Sequence, residues 1–214
     1  MTTTIWVGLL CVGLAAVPAS AGDDDSSNCI SAVGEFGGSP GSVTDVAVGP
    51  GDVLFAVDAT SAALLHQEWD GTFREVVANG RGHVDGPTSS ARLMGPYGIT
   101  ASDTHVFIAD SRGHTIRAWD GTNLVTLAGS PGERGHADGP GASARFNLPY
   151  DLDVADDGTL YVADKLNHVI RKITFSSGIS DPQVSTLAGK PGQKGLSDAY
   201  GETARFRYPV GVAV

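Results

Sequence analysis

Gly82-His-Val-Asp-Gly-Pro-Thr-Ser-Ser-Ala-Arg-Leu93, Gly135-His-Ala-Asp-Gly-Pro-Gly-Ala-Ser-Ala-Arg-Phe146 and Gly195-Leu-Ser-Asp-Ala-Tyr-Gly-Glu-Thr-Ala-Arg-Phe206 align without a gap. Each opens on Gly, places Asp fourth and ends on Ala-Arg followed by a large apolar residue. Their starts lie 135 − 82 = 53 and 195 − 135 = 60 residues apart. A period of this length marks a repeat architecture, in which each unit is one supersecondary element stacked on its neighbours.

Other landmarks recur in the same register. An apolar run precedes each stretch: Val76-Val77-Ala78, Thr126-Leu127-Ala128-Gly129 and Thr186-Leu187-Ala188-Gly189. A Pro and a strand-like segment follow it: Pro96-Tyr97-Gly98-Ile99, Pro149-Tyr150-Asp151-Leu152 and Pro209-Val210-Gly211-Val212. Next comes an apolar run closed by Asp58, Asp110 or Asp164, with an aromatic three residues before the Asp each time. Each unit therefore holds four short β-rich runs separated by turn chemistry, with no helical period. In the third unit they are Tyr150–Ala155, Leu160–Ala163, Val169–Phe175 and Val184–Ala188. The second run is apolar throughout, as in a strand covered on both faces.

Four-stranded antiparallel units with both faces buried predict an all-β propeller, its blades packed around an axis. Blades are expected at about 37–93, 94–146 and 147–206, with the first strand of a fourth at 207–214. Three blades and one strand fall short of a closed ring, so the sequence reads as a fragment of a larger propeller. Asp120-Gly121 and Asp157-Gly158 read as tight hairpins with positive φ at both central positions. Asp110 and Asp164 are expected to close the turn that follows them by accepting backbone N–H groups. Gly113 and Asn167, at equivalent positions in those turns, are expected to take the left-handed conformation. In the Ala-Arg-Phe endings, the aromatic is expected to wedge between blades and the Arg to pair with a loop carboxylate, Asp138 or Asp198.

The formal net charge is −10, from 24 acidic and 14 basic residues. That balance repels phosphate backbones, and nucleic acid is not an expected partner. Residues Ile5 to Val17 form an apolar run followed by Ala19-Ser20-Ala21, a signal-peptidase pattern. The run is short for a membrane span, so a signal peptide at 1–21 is expected, although Met1 to Thr4 carry no Lys or Arg. An acidic, polar segment at 22–36 follows, with no membrane span in the mature residues, which places the protein outside the cell or on its surface. Cleavage would remove Cys11 and leave Cys29 as the only thiol, which excludes an internal disulfide and a cysteine-rich metal site. Cys29 is then either free or paired outside these residues.

The motifs Pro149-Tyr150-Asp151-Leu152, Leu160-Tyr161-Val162-Ala163-Asp164, Asn167-His168 and Ile170-Arg171-Lys172-Ile173 together resemble the NHL repeat, named for Asn-His-Leu, with Val169 in the third place. Gly113-His114-Thr115-Ile116-Arg117 fits the same pattern, whereas Ala59 to Leu65 lacks both the His and the Arg. The resemblance covers about residues 37–214. It implies a propeller, usually six-bladed, that displays a binding surface.

No Gly-x-Ser-x-Gly elbow, His-Glu-x-x-His or Walker sequence is present. The reading is a non-catalytic scaffold that recognises a protein or small extracellular ligand. The alternative is a propeller enzyme of the amidating-lyase, lactonase or strictosidine-synthase-like class. No cofactor is predicted. A divalent metal stays open because an amidating lyase of this propeller class uses axial histidines, although equivalent histidines of adjacent blades stand too far apart to share one zinc. In a four-stranded meander, the second-to-third turns and the blade-to-blade loops share one end of the blade. That end gathers the ligand-face candidates Arg112, His114, Lys165, His168, His83 and His136, with loops 79–93, 129–146 and 189–206. Thr122 and Thr159 fall at the opposite end.

Overall fold

Alternation along a strand sends successive side chains to opposite faces of a sheet. In the segment Val106–Asp110, Val106 and Ile108 pack to one side and Phe107 and Ala109 to the other. Both sides are buried, which is why the sequence there is apolar without a break.

The protein is seen in a computed structural model that describes residues 43–214. The expected signal peptide at 1–21, the acidic segment at 22–36, Cys29 and the first residues of the first unit lie outside the described residues. The first sheet is a meander of β1 (Val43–Gly49), β2 (Val53–Asp58), β3 (Ala63–Gln67) and β4 (Phe73–Val77). After it, the chain places a two-residue strand, β5 (Gly86–Pro87), before the second meander of β6 (Gly98–Ala101), β7 (Val106–Asp110), β8 (Thr115–Trp119) and β9 (Asn123–Ala128). The third meander repeats this with β10 (Gly139–Pro140), then β11 (Pro149–Val154), β12 (Leu160–Asp164), β13 (Val169–Phe175) and β14 (Pro182–Ala188). All pairings within these sheets are antiparallel. The innermost strands β1, β6 and β11 lie side by side, as blades around an axis require. Among the described residues no helix is long and apolar enough to cross a membrane.

The second and third blades gain a fifth strand that a four-stranded repeat does not predict. β5 pairs with β9 and β10 with β14, so each connection crosses to the outer edge of the next blade before returning to its inner strand. On the way back it buries Leu93 in one joint and Phe146 in the other. Two apolar layers result, one on each side of the second blade. The first joins Phe55, Val57 and Leu64 to Leu93, Ile99, Val106 and Ile108. The second joins Phe107, Ala109 and Ile116 to Phe146, Leu152, Leu160 and Ile173. The wedge expected of the Ala-Arg-Phe aromatic is therefore present at Phe146.

Local chemistry departs from expectation at four places. In the Asp-Gly turns only the glycine takes positive φ (84° at Gly71, 94° at Gly121, 81° at Gly158). Each Asp instead accepts the N–H two residues on, at Thr72, Thr122 and Thr159. In the β7–β8 and β12–β13 turns the left-handed residues are His114 (φ 59°) and His168 (φ 60°), not Gly113 and Asn167, which end short 3-10 turns. Asp110 and Asp164 do not close those turns. Asp110 accepts N–H groups from Met94 and Gly95, and Asp164 from Asn147, so each anchors the incoming connection. Finally, Asp138 pairs with Arg171 rather than Arg145, which reaches Glu133 at 2.8 Å. Residues 207–214 are held to β11 by side-chain bonds: Asp151 accepts the N–H of Val212 and Asp153 that of Val214, each at 2.9 Å.

Candidate functional site

The end of the blades that carries the β7–β8 and β12–β13 turns also carries the heads of the inner strands, because Pro149 pairs with Asp164 and Tyr97 N–H donates to the carbonyl of Ala109. Tyr97 and Tyr150 enter those strands one blade apart, with ring centroids 4.9 Å from each other. Lys165 Nζ sits 3.8 Å above the Tyr150 ring, a cation–π contact. Arg112 is exposed, and its aliphatic stem lies over Gly95, where a Cβ would come within 2.7 Å of Arg112 Cδ. The result is a surface of two phenols in tilted contact, with Lys165 over one of them and Arg112 exposed in the equivalent turn of the preceding blade. The opposite end is unlike it, since Asp70, Asp120, Asp157 and Asp181 all lie in its turns and are held below the ordinary carboxylate range by local hydrogen bonds.

His114 and His168 have defined structural partners. Nδ1 of His114 accepts the N–H of Leu148 at 3.1 Å, and Nδ1 of His168 accepts that of Tyr208 at 3.3 Å. The Tyr208 ring meets His168 edge-on at 4.6 Å. Both residues donating these bonds, Leu148 and Tyr208, are themselves left-handed (φ 53° and 57°). An acceptor nitrogen must be unprotonated, and both rings have lowered pKa values. Burial is the main cause in each, aided by Arg134 and His83 at His114 and by Lys194 at His168.

His83 and His136, equivalent in sequence, point to different places. His136 Nε2 contacts Thr186 Oγ1 at 3.0 Å on the outer strand, and burial followed by Arg171 lowers its pKa. His83 turns inward. Its Cε1 lies 2.9 Å from where a Gly113 Cβ would stand, beside Asp110. Its buried Nδ1 has no hydrogen-bond partner. In the next blade Asn167 fills that space, donating to Asp164 at 2.8 Å and to the carbonyl of Gly135 at 2.7 Å. The six candidates are thus distributed over turns and joints, and no group of three or more metal-ligating side chains occurs among the described residues.

Arg117 and Arg171, which the sequence shows only as parts of the repeat motif and without a partner, are each buried in the middle of a third strand. Arg171 Nη1 lies 3.0 Å from Asp164 and Nη2 2.6 Å from Asp138. Arg117 Nη2 lies 2.6 Å from Asp85 and Nη1 3.6 Å from Asp110. The signal was present as an Ile-Arg pair inside an apolar run, repeated in two units. Also missed was an acidic band on the inner strands. Asp45 accepts the N–H of Ile99 at 2.9 Å, and Thr100 Oγ1 donates to Asp153 at 3.1 Å. Burial pushes Asp45 up to about 6, with Asp151 and Asp153 adding to it against the N–H groups of Ile99 and Val46.

No family model matches the chain. NHL repeat-containing protein 2 of Bos taurus is 30% identical over 152 residues, 64% of this chain and 21% of that protein. Protein SUPPRESSOR OF QUENCHING 1, chloroplastic, of Arabidopsis thaliana is 35% identical over 109 residues, 50% of this chain and 10% of that protein. The chain thus spans 21% and 10% of these two curated relatives. Among solved structures, a protein of unknown function from Bacteroides thetaiotaomicron superposes with a TM-score of 0.64 at 21% identity, covering 79% of this chain and 41% of that one. An auxiliary nutrient binding protein from Bacteroides ovatus gives 0.59 at 18% identity, covering 80% and 42%. With blades repeated in register, the third strands of the second and third bearing the Ile-Arg of the motif and their turns the His, the chain folds as blades of a β-propeller whose repeats are similar to those of NHL repeat-containing protein 2.

Proposed function

We propose that this chain is a non-catalytic recognition scaffold that binds a protein or small ligand on the face formed by Tyr97, Tyr150, Lys165 and Arg112. One observation carries the reading: two phenols in contact, with the Lys165 ammonium over one of them, lie together at one end of the blades. Four of the titratable groups there are held by structural bonds, since His114 and His168 use Nδ1 to hold backbone and Asp110 and Asp164 are buried under the incoming connections. One structural neighbour, of which this chain covers 42%, is named an auxiliary nutrient binding protein, in keeping with a binding role. The reading extends to a secreted or cell-surface setting, on the strength of the apolar leader at 1–21.

The test is an array of glycans and extracellular peptides probed with the chain, followed by variants against whatever binds. Lys165→Ala, Tyr150→Ala and Arg112→Ala are each expected to weaken binding by about tenfold, the scale of losing one central cation or aromatic contact. Thr122→Ala, exposed at the other end, is the control. Thr159, in the β11–β12 turn at the same end, is buried and does not serve. Loss with Thr122→Ala and none with the three face variants would move the site to the opposite end.

A further inference from the structure

The two joints between blades are built by one rule. In the first, Asp85 accepts Arg117 Nη2 at 2.6 Å together with the N–H and hydroxyl of Thr126 at 3.0 and 2.9 Å. In the second, Asp138 accepts Arg171 Nη2 at 2.6 Å together with the N–H and hydroxyl of Thr186 at 3.0 and 3.1 Å. The fourth residue of each Gly-x-x-Asp stretch thus reads an Arg on the third strand and a Thr on the fourth strand of the next blade. The two residues that follow the Asp then pair with that fourth strand.

A third copy of the reading half stands at 195–206. Asp198 occupies the place of Asp85 and Asp138, and Tyr200 that of Pro140. The apolar residues around it are uncovered. Leu196 is 86% and Tyr200 97% exposed, and Leu187 is 44% exposed where its equivalent Leu127 is at 5%. A concave surface lined by Leu196, Asp198, Ala204, Phe206 and Pro209 opens there.

We propose that this edge is a docking surface for one further blade of the same repeat type, recognised by an Arg on its third strand and a Thr on its fourth. The rule also rejects a second copy of this chain seated head to tail. Its first blade carries Leu65 and Glu75 at the positions of Arg117 and Thr126, as the pairing of Leu65 with Glu75 and of Arg117 with Thr126 shows. Asp198 would then face a like charge with no cation between them, a repulsion that discriminates against the wrong partner.

Val214 stands where Val154 does, so a copy of residues 155–194 joined directly after it continues the repeat in register and leaves 195–206 present once. Amide hydrogen exchange over residues 195–206 reads docking, and exchange within the copy's own ladder reads its folding. The unaltered copy is expected to slow exchange at 195–206 by about tenfold or more. That protection is expected to be lost when the copy carries Arg171→Leu and Thr186→Glu, and to fall when Asp198→Asn is made in the parent part. Because Asp198→Asn changes no residue of the copy, it tests recognition even where the altered copy cannot fold. Equal protection with both copies and with Asp198→Asn would show that apolar contact alone selects the blade and would overturn the rule. So would no protection from the unaltered copy while the joints at Asp85 and Asp138 keep theirs.

Discussion

The guanidinium of Arg171 lies 3.0 Å from the carboxylate of Asp164, and neither side chain reaches solvent. Desolvating both charges costs several kcal/mol each, which their attraction offsets only when the remaining hydrogen bonds are satisfied. Here most are. Arg171 also donates to Asp138 and to the carbonyls of Arg145 and Ala137, while Asp164 accepts from Asn147 and Asn167. Arg171 further lies over Phe146, 4.9 Å from its centroid. The pair thus ties the third blade to the loop that links it to the second.

Arg171→Leu is expected to destabilise the protein by about 3–5 kcal/mol, because it leaves Asp164 charged, buried and unpaired. Adding Asp164→Asn should recover a large part of that loss by removing the orphaned charge. Urea unfolding of the two variants measures both effects, and a double variant no more stable than Arg171→Leu would contradict the account. The first blade shows that an apolar alternative is tolerated: Leu65 replaces the Arg there, and Asp58 turns to the N–H groups of Thr60 and Ser61.

Phe146→Ala should cost about 3–5 kcal/mol, as for other large aromatics removed from a well-packed core. Phe146 is fully buried between the second and third blades, packed with Ile116 and Leu127 on one side and Leu160 and Ile173 on the other. The loss should also break the cooperativity between these blades, since each apolar layer is shared by neighbours. Thermal unfolding would then broaden or divide, whereas a single sharp transition at a lower midpoint would show that the joint survives without the wedge.

The architecture was legible because repetition and alternation are both written in residue type. Gly-x-x-Asp and Ala-Arg-Phe mark the connections, and the unbroken apolar runs mark strands buried on two faces. The fifth strand was not legible. Gly86-Pro87 and Gly139-Pro140 have no strand-like composition, and they pair only because the Asp before each is already bound to the next blade. The partner of each Asp was misassigned for a related reason. Asp138 lies seven residues from Arg145 in sequence but takes Arg171, 33 residues away, because the buried guanidinium has the greater need of a partner. On the candidate face, the turns named Arg112 and Lys165 directly. The tyrosine pair beside them depended on which inner strands become neighbours.

His168 should act as an acid-sensitive latch on residues 207–214. Its folded pKa is lowered, chiefly by burial, so the unfolded chain binds protons more readily. The stabilisation is present above the unfolded value of about 6.5 and is lost as pH falls through the folded one. Exchange of the Tyr208 amide, corrected for its intrinsic pH dependence, should quicken over that interval. His168→Asn keeps an acceptor near Nδ1 and tolerates left-handed backbone, so it should hold the amide without the pH dependence. The same acceleration in the Asn variant would assign it to another group.

Asp45 should give the opposite sign. Its carboxyl is pushed up to about 6 by burial, with Asp151 and Asp153 contributing, so the folded protein holds its proton more tightly than the unfolded chain. A carboxylate with a raised folded pKa costs stability above that value, and the cost disappears as pH falls toward the unfolded value of about 3.9. Other groups titrate in the same interval, among them His114 and His168 with lowered values and Asp151 with a raised one. The informative quantity is therefore the difference between the unaltered chain and Asp45→Asn. The Asn carbonyl can still accept the N–H of Ile99, which joins the first inner strand to the second, while carrying no charge at any pH. Relative to the variant, the unaltered chain should gain thermal stability as pH is lowered from about 7 to about 4.5. A difference that stays flat across that interval, or that grows in the other direction, would mean that Asp45 is ionised without penalty on the inner strand.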